Sequence, residues 1–231
     1  MRKIRFLFSL VMCSIVLASC GSSDSQPQNE QSGTENQEAS KSLVVKFNSS
    51  APQIHTWKET YSKIILETLD RPELNFMLYL PLNTNDLTKL KCIGYQSATP
   101  EERKKFFVLY LASIAYAESR LNPKTTYLEA DGSLSSGLLQ IDRNSANRHA
   151  GPYINYRYTQ SDVLDPHLNL IAGLYVLKHQ LEGGMSDDRP DIKNRLFTNK
   201  SYYWSVITLK QEHIIKTFVA NSERNLDFCN R

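Results

Sequence analysis

Glu118 is the residue in this chain best placed to move a proton. The stretch 106–141 reads FFVLYLASIAYAESRLNPKTTYLEADGSLSSGLLQI. Its first half predicts a helix in which Phe107, Leu111 and Ile114 recur at helical spacing, with Glu118 on the same stripe. A carboxyl group at the inward end of an apolar helix is desolvated, and desolvation favours its protonated form. Such a group can hold its proton near neutral pH, which makes Glu118 a candidate proton donor. Leu138, beyond a polar turn, adds to the apolar setting. Ser119 has no histidine at a convincing position beside it and does not read as a nucleophile. A partly buried structural glutamate is the competing reading, and the neighbouring segments weigh against it.

Those segments must position the acid. Thr99-Pro100-Glu101-Glu102 predicts the start of the Glu118 helix: a capping threonine, proline in the first turn, and acids near the positive end of the helix dipole. Asn122-Pro123 stops it. Upstream, Thr56-Trp57-Lys58-Glu59 reads as a capping box opening a helix with Trp57, Tyr61, Ile64, Ile65 and Leu69 inward. Short helices are expected over 73–80 and 86–92. Asp165-Pro166 caps a helix with Leu170, Leu174, Leu177 and Leu181 inward, ending at Gly183-Gly184. The stretch 185–199 reads as a polar loop, and 207–222 as the last helix. The tyrosine-rich stretch 151–158 offers ring faces for sugar stacking, or packs a loop onto the domain.

The order of Glu118-Ser119, Asn122-Pro123, Asp131-Gly132, Ser136-Gly137-Leu138-Leu139-Gln140-Ile141 and Asp165-Pro166-His167-Leu168-Asn169-Leu170-Ile171-Ala172-Gly173 resembles the lysozyme-like lytic transglycosylases (SLT type). The resemblance implies a mainly α (α+β) lysozyme-like fold over 43–231, with a small β/turn region beside the catalytic glutamate. It implies that Glu118 is the general acid cleaving the β-1,4 bond between N-acetylmuramic acid and N-acetylglucosamine, and that peptidoglycan glycan strands are the partner. Ser136, Gly137, Leu138 and Gln140 would line the saccharide cleft, with Tyr153 and Tyr203 as further substrate-binding candidates. Many of these enzymes carry a later Tyr-Asn-Gly-type segment. Here the region reads Ser201-Tyr202-Tyr203-Trp204-Ser205-Val206, without Asn-Gly. A second carboxylate would distinguish a hydrolase from a transglycosylase, which uses the sugar's own 6-hydroxyl. Asp131 and Asp142 are the candidates, although Asp131-Gly132 reads first as a turn. The rival reading is a non-catalytic peptidoglycan-binding scaffold.

The rest of the chain gives context. Of 231 residues, 1–19 combine Arg2, Lys3 and Arg5 with a mostly apolar run too short for a membrane span of about 20 residues. With Leu17-Ala18-Ser19-Cys20-Gly21 this resembles a bacterial lipoprotein signal. That implies lipidation of Cys20, a membrane attached through that lipid, and an outer-membrane site facing the periplasm, with secretion as the alternative. Residues 20–42 are Ser, Gln, Asn, Glu and Gly with almost no apolar side chain, and read as a flexible linker. Leu43 to Phe47 reads as a short strand or an extended piece. The formal charge is +3, and without the three basic residues of the leader it falls to zero, so nothing points to nucleic acid. Cys92 and Cys229 remain as one expected disulfide, with free thiols as the alternative. The five histidines are scattered, so neither a metal nor another cofactor is expected, and a monomer is.

Overall fold

A computed structural model describes residues 55–200 and 202–231. The leader, Cys20, the linker and the stretch from Leu43 to Phe47 lie outside the described residues.

The fold is mostly helical with one small antiparallel sheet. Its centre is α4 (Pro100–Ser119). The helix starts as the sequence predicts. The Thr99 hydroxyl accepts from the Glu102 N–H, and the Glu102 carboxylate accepts from the Thr99 N–H at 2.8 Å. Its apolar surface is wider than a stripe, because every residue from Phe106 to Ala115 is buried. A helix buried on all sides is the core of a domain rather than an amphipathic cover. Phe106 packs against Phe107, Tyr110 and Phe218, the last on α9 (Gln211–Asn225).

α1 (Glu59–Leu69) packs against α4 and against α7 (Pro166–Glu182), which also meets α2 (Pro72–Asn75); α3 (Thr84–Lys89) precedes α4 in the chain. Three expectations shift here. The first helix starts at Glu59 with Lys58 at its cap, not at Thr56, and no side chain caps it. Trp57 lies ahead of the helix, where its indole N–H donates to Ser62 Oγ at 2.9 Å. The last predicted helix is split at Lys210, between α8 (Val206–Leu209) and α9. The tyrosine-rich stretch is not wholly loop: it follows α5 (Arg143–His149) and contains α6 (Gly151–Ile154).

The sheet comprises β1 (Thr126–Leu128), β2 (Leu134–Ser136) and β3 (Ile141–Asp142), in that order and antiparallel. Tyr127 pairs with Ser135 and Ser136 with Ile141.

The expected disulfide joins Cys92 to Cys229 and closes a sequence separation of 137 residues. Loop-closure entropy then gives a ceiling of about 5 kcal/mol for its contribution. Denaturant unfolding with and without reductant should show a loss of about 2–5 kcal/mol in the reduced protein.

Candidate active site

Glu118 sits one residue before the end of α4, where the backbone turns sharply. Arg120 and Leu121 both take left-handed φ values, 53° and 64°. The Arg120 N–H donates to Tyr116 O and the Leu121 N–H to Ala115 O, which terminates the helix without glycine. Non-glycine residues in that region carry strain, and such strain concentrates at functional sites.

The segment facing the helix end is held by three devices. Ser119 Oγ donates to Leu138 O at 2.9 Å and to its own helix at Ala115 O, a structural role that agrees with its reading as a non-nucleophile. Asn169, fully buried on α7, accepts from the Leu139 N–H at 2.9 Å through Oδ1, and its Nδ2 donates to Ser136 O and Val163 O. Gly137 has φ 79°, and a Cβ there would stand 2.4 Å from Val163 O and 2.5 Å from Asn169 Nδ2, so only glycine fits. Gly173 likewise admits Leu139 Cδ1 where a Cβ would be. Asn169→Ala strands three buried backbone groups. It is expected to cost roughly 3–5 kcal/mol, readable as a lower denaturation midpoint.

These devices frame a cavity of about 450 Å³ lined by Glu118, Glu129, Gln140, Asp142, Tyr203 and Trp204, among others. Burial lifts the Glu118 carboxyl to about 7. Lys210 pulls against that shift and Glu129 adds to it. Tyr203 accepts from the Asp142 N–H at 2.9 Å, and its hydroxyl lies 3.3 Å from Asp142 Oδ2. Trp204 donates to Leu139 O at 2.8 Å. The region that lacks Asn-Gly thus still brings a tyrosine to the cleft.

The other predicted site residues divide. Gln140 lines the cavity, but its Nε2 is committed to Thr125 O and Gly137 O, so it braces the wall. Asp131 lines the cavity from an exposed turn, where its carboxylate accepts from Ser133 N–H and Oγ. Asp142 caps α5 by accepting from Asn144 and Ser145 N–H. Ser136, Gly137 and Leu138 do not line the cavity. Ser136 accepts from Gln160, and Leu138 belongs to the core. Tyr153 lies on a separate cavity with His179, which is paired with His149 through their Nδ1 atoms at 2.8 Å. Burial pushes both imidazoles down, His149 to about 4 and His179 to about 3, so the pair is neutral.

Glu129 is the carboxylate that the sequence reading passed over. It lines the Glu118 cavity and accepts from Ser135 Oγ at 2.6 Å. The hairpin explains its position. Glu129 N–H donates to Ser133 O, so the chain turns at Asp131-Gly132 and brings Glu129 onto the Tyr127–Ser135 face.

Residues 98–202 match the Transglycosylase SLT domain family. The SLT match spans the Glu118 helix, the sheet, the Gly-Leu-Leu-Gln segment, α7 and Tyr202, and the mostly helical fold with its small sheet agrees with it. Among solved structures, the chain is similar to "Bd0314 DslA wild-type form 2". That match has 25% identity and a TM-score of 0.56, covering 74% of this chain and 91% of that one. Two DslA mutants, each a glutamate-to-glutamine change, match at 24% identity over the same shares, with TM-scores of 0.53 and 0.54. The comparison with curated proteins finds no match.

Proposed function

We propose that this protein cleaves the glycan strands of peptidoglycan at the β-1,4 bond between N-acetylmuramic acid and N-acetylglucosamine, with Glu118 as the general acid. The observation that carries this reading is a glutamate whose burial lifts its carboxyl to about 7, facing a cavity within an SLT domain match. The protonated carboxyl donates to the glycosidic oxygen as positive charge develops on the sugar ring. Tyr203 and Trp204 line the cavity that receives the saccharide, together with Gln140.

Glu129 is the second carboxylate in this reading. Oriented by Ser135, it holds a water and takes its proton as the water attacks the anomeric carbon, which gives a reducing end. Its place in the same cavity supports this role. So does its spacing: the two substituted glutamates of the DslA mutants stand eleven residues apart in their own chain, as Glu118 and Glu129 do here. The SLT match favours the other outcome, in which the sugar's 6-hydroxyl attacks and leaves an anhydro end. Mass spectrometry of muropeptides released from sacculi decides between them. Reducing ends are expected, and exclusively anhydro ends would remove Glu129 from the mechanism. Attachment through Cys20 would place this activity in the cell envelope.

A further inference from the structure

The small sheet carries one row of side chains across the face that meets the Glu118 cavity. Residues directly opposite each other in an antiparallel sheet point to the same side. Asp142 on β3 pairs with Ser135 on β2, and Ser135 pairs with Tyr127 on β1. Asp142 and Ser135 line the cavity, as do Glu129 and Ser133, the next opposed residues along the hairpin. The other face carries the cross-strand pair Leu128 and Leu134, and neither lines the cavity. Tyr127 therefore continues the row past the lining, on the outer strand of the sheet. Two strand spacings put it roughly 10 Å from Asp142.

Exposure rises outward along that row: Ser135 is 8% exposed and Tyr127 63%. Among the described residues, the Tyr127 side chain has no hydrogen-bond partner and no aromatic or cationic neighbour, so nothing there competes for its ring. A lone exposed tyrosine needs no explanation. This one is set by strand register in line with residues of the Glu118 cavity. At the other end of the row, the Tyr203 hydroxyl meets Asp142 at 3.3 Å. A tyrosine thus stands at each end, and a polymer crossing the cavity along the row leaves it over Tyr127.

We propose that the Tyr127 ring is a stacking platform at the rim of the Glu118 cavity, which holds a sugar of the glycan strand beyond those flanking the bond that is cut. An aromatic ring receives the apolar C–H face of a sugar and leaves the sugar hydroxyls in water. The choice of a glycan as the polymer rests on the reading of cleavage at Glu118. The platform adds affinity for a strand and takes no part in bond breaking.

The test is calorimetric titration of the full chain carrying Glu118→Gln with peptidoglycan glycan strands stripped of their peptides, alone and combined with Tyr127→Ala, Tyr127→Phe or Leu128→Ala. Substitutions at such exposed positions leave the fold intact. Tyr127→Ala is expected to weaken binding about threefold or more, the scale of one aromatic contact, while Tyr127→Phe and Leu128→Ala stay within about twofold. A loss smaller than that in Tyr127→Ala, or no binding with Tyr127 intact, overturns the platform. So does a loss in Leu128→Ala or Tyr127→Phe equal to that in Tyr127→Ala, since the first would deny the face and the second the stacking. The readout is binding alone, so failure of the cleavage reading, seen as undiminished muropeptide release by Glu118→Gln, is a separate result.

Discussion

Glu118→Gln is expected to lower muropeptide release by about 10²–10⁴-fold, the usual contribution of one positioned acid, while making the protein more stable above neutral pH. Both effects come from the same burial. Glutamine keeps the shape of the side chain and loses the transferable proton. In the folded wild type the carboxyl titrates near 7, against an ordinary 4.5. The folded state therefore holds a proton that the unfolded chain has released between those values. Stability falls as pH rises through that window, by on the order of 3 kcal/mol once both states are ionised. Glutamine has no such penalty. The mutant should gain little below pH 4.5 and most of that amount above pH 7, which denaturation at pH 4, 6 and 8 would show. A mutant inactive only because it misfolds would lose stability instead.

Glu129→Gln is expected to cost about 10²–10³-fold in release of reducing-end products if Glu129 serves as the base. Activity should then need Glu118 protonated, so the alkaline limb of its pH profile falls through about 7. The same substitution removes a negative charge that pushes the Glu118 carboxyl up, so the alkaline limb of any residual activity moves down in pH. That shift follows from the charge alone and is expected whether or not Glu129 is the base, so the loss of reducing-end products is what tests its role. An enzyme that forms anhydro ends through the 6-hydroxyl would keep its products in the mutant.

The segments whose structure follows from local chemistry are the most legible. Thr99-Pro100-Glu101-Glu102 announces the start of α4 through local chemistry alone, and the capping box forms there. The same reasoning placed a capping box at Thr56, and it failed because the chain there is extended until Lys58. The cysteine count led to the disulfide that the structure contains. The place of Glu129 depends on hairpin register. The turn at Asp131-Gly132 is legible, but only the pairing of Tyr127 with Ser135 says that Glu129 joins Asp131 and Asp142 on the cavity. Gly137 and Gln140 illustrate the converse. Their motif was visible, and their work is to let backbone approach Asn169 and to brace Thr125. Asn169 appears in the motif as one letter, yet two of its three hydrogen bonds reach Leu139 and Ser136, 30 and 33 residues away, which no local pattern encodes.

The physical core of this account is a glutamate that keeps its proton at neutral pH because apolar packing excludes water from it. Titrating the Glu118 side chain directly, by carbon-13 NMR of the carboxyl resonance assigned through its loss in Glu118→Gln, tests that claim. The account predicts a midpoint near 7. A midpoint at the ordinary 4.5 would mean that the carboxyl is ionised where the enzyme must work, and would contradict it.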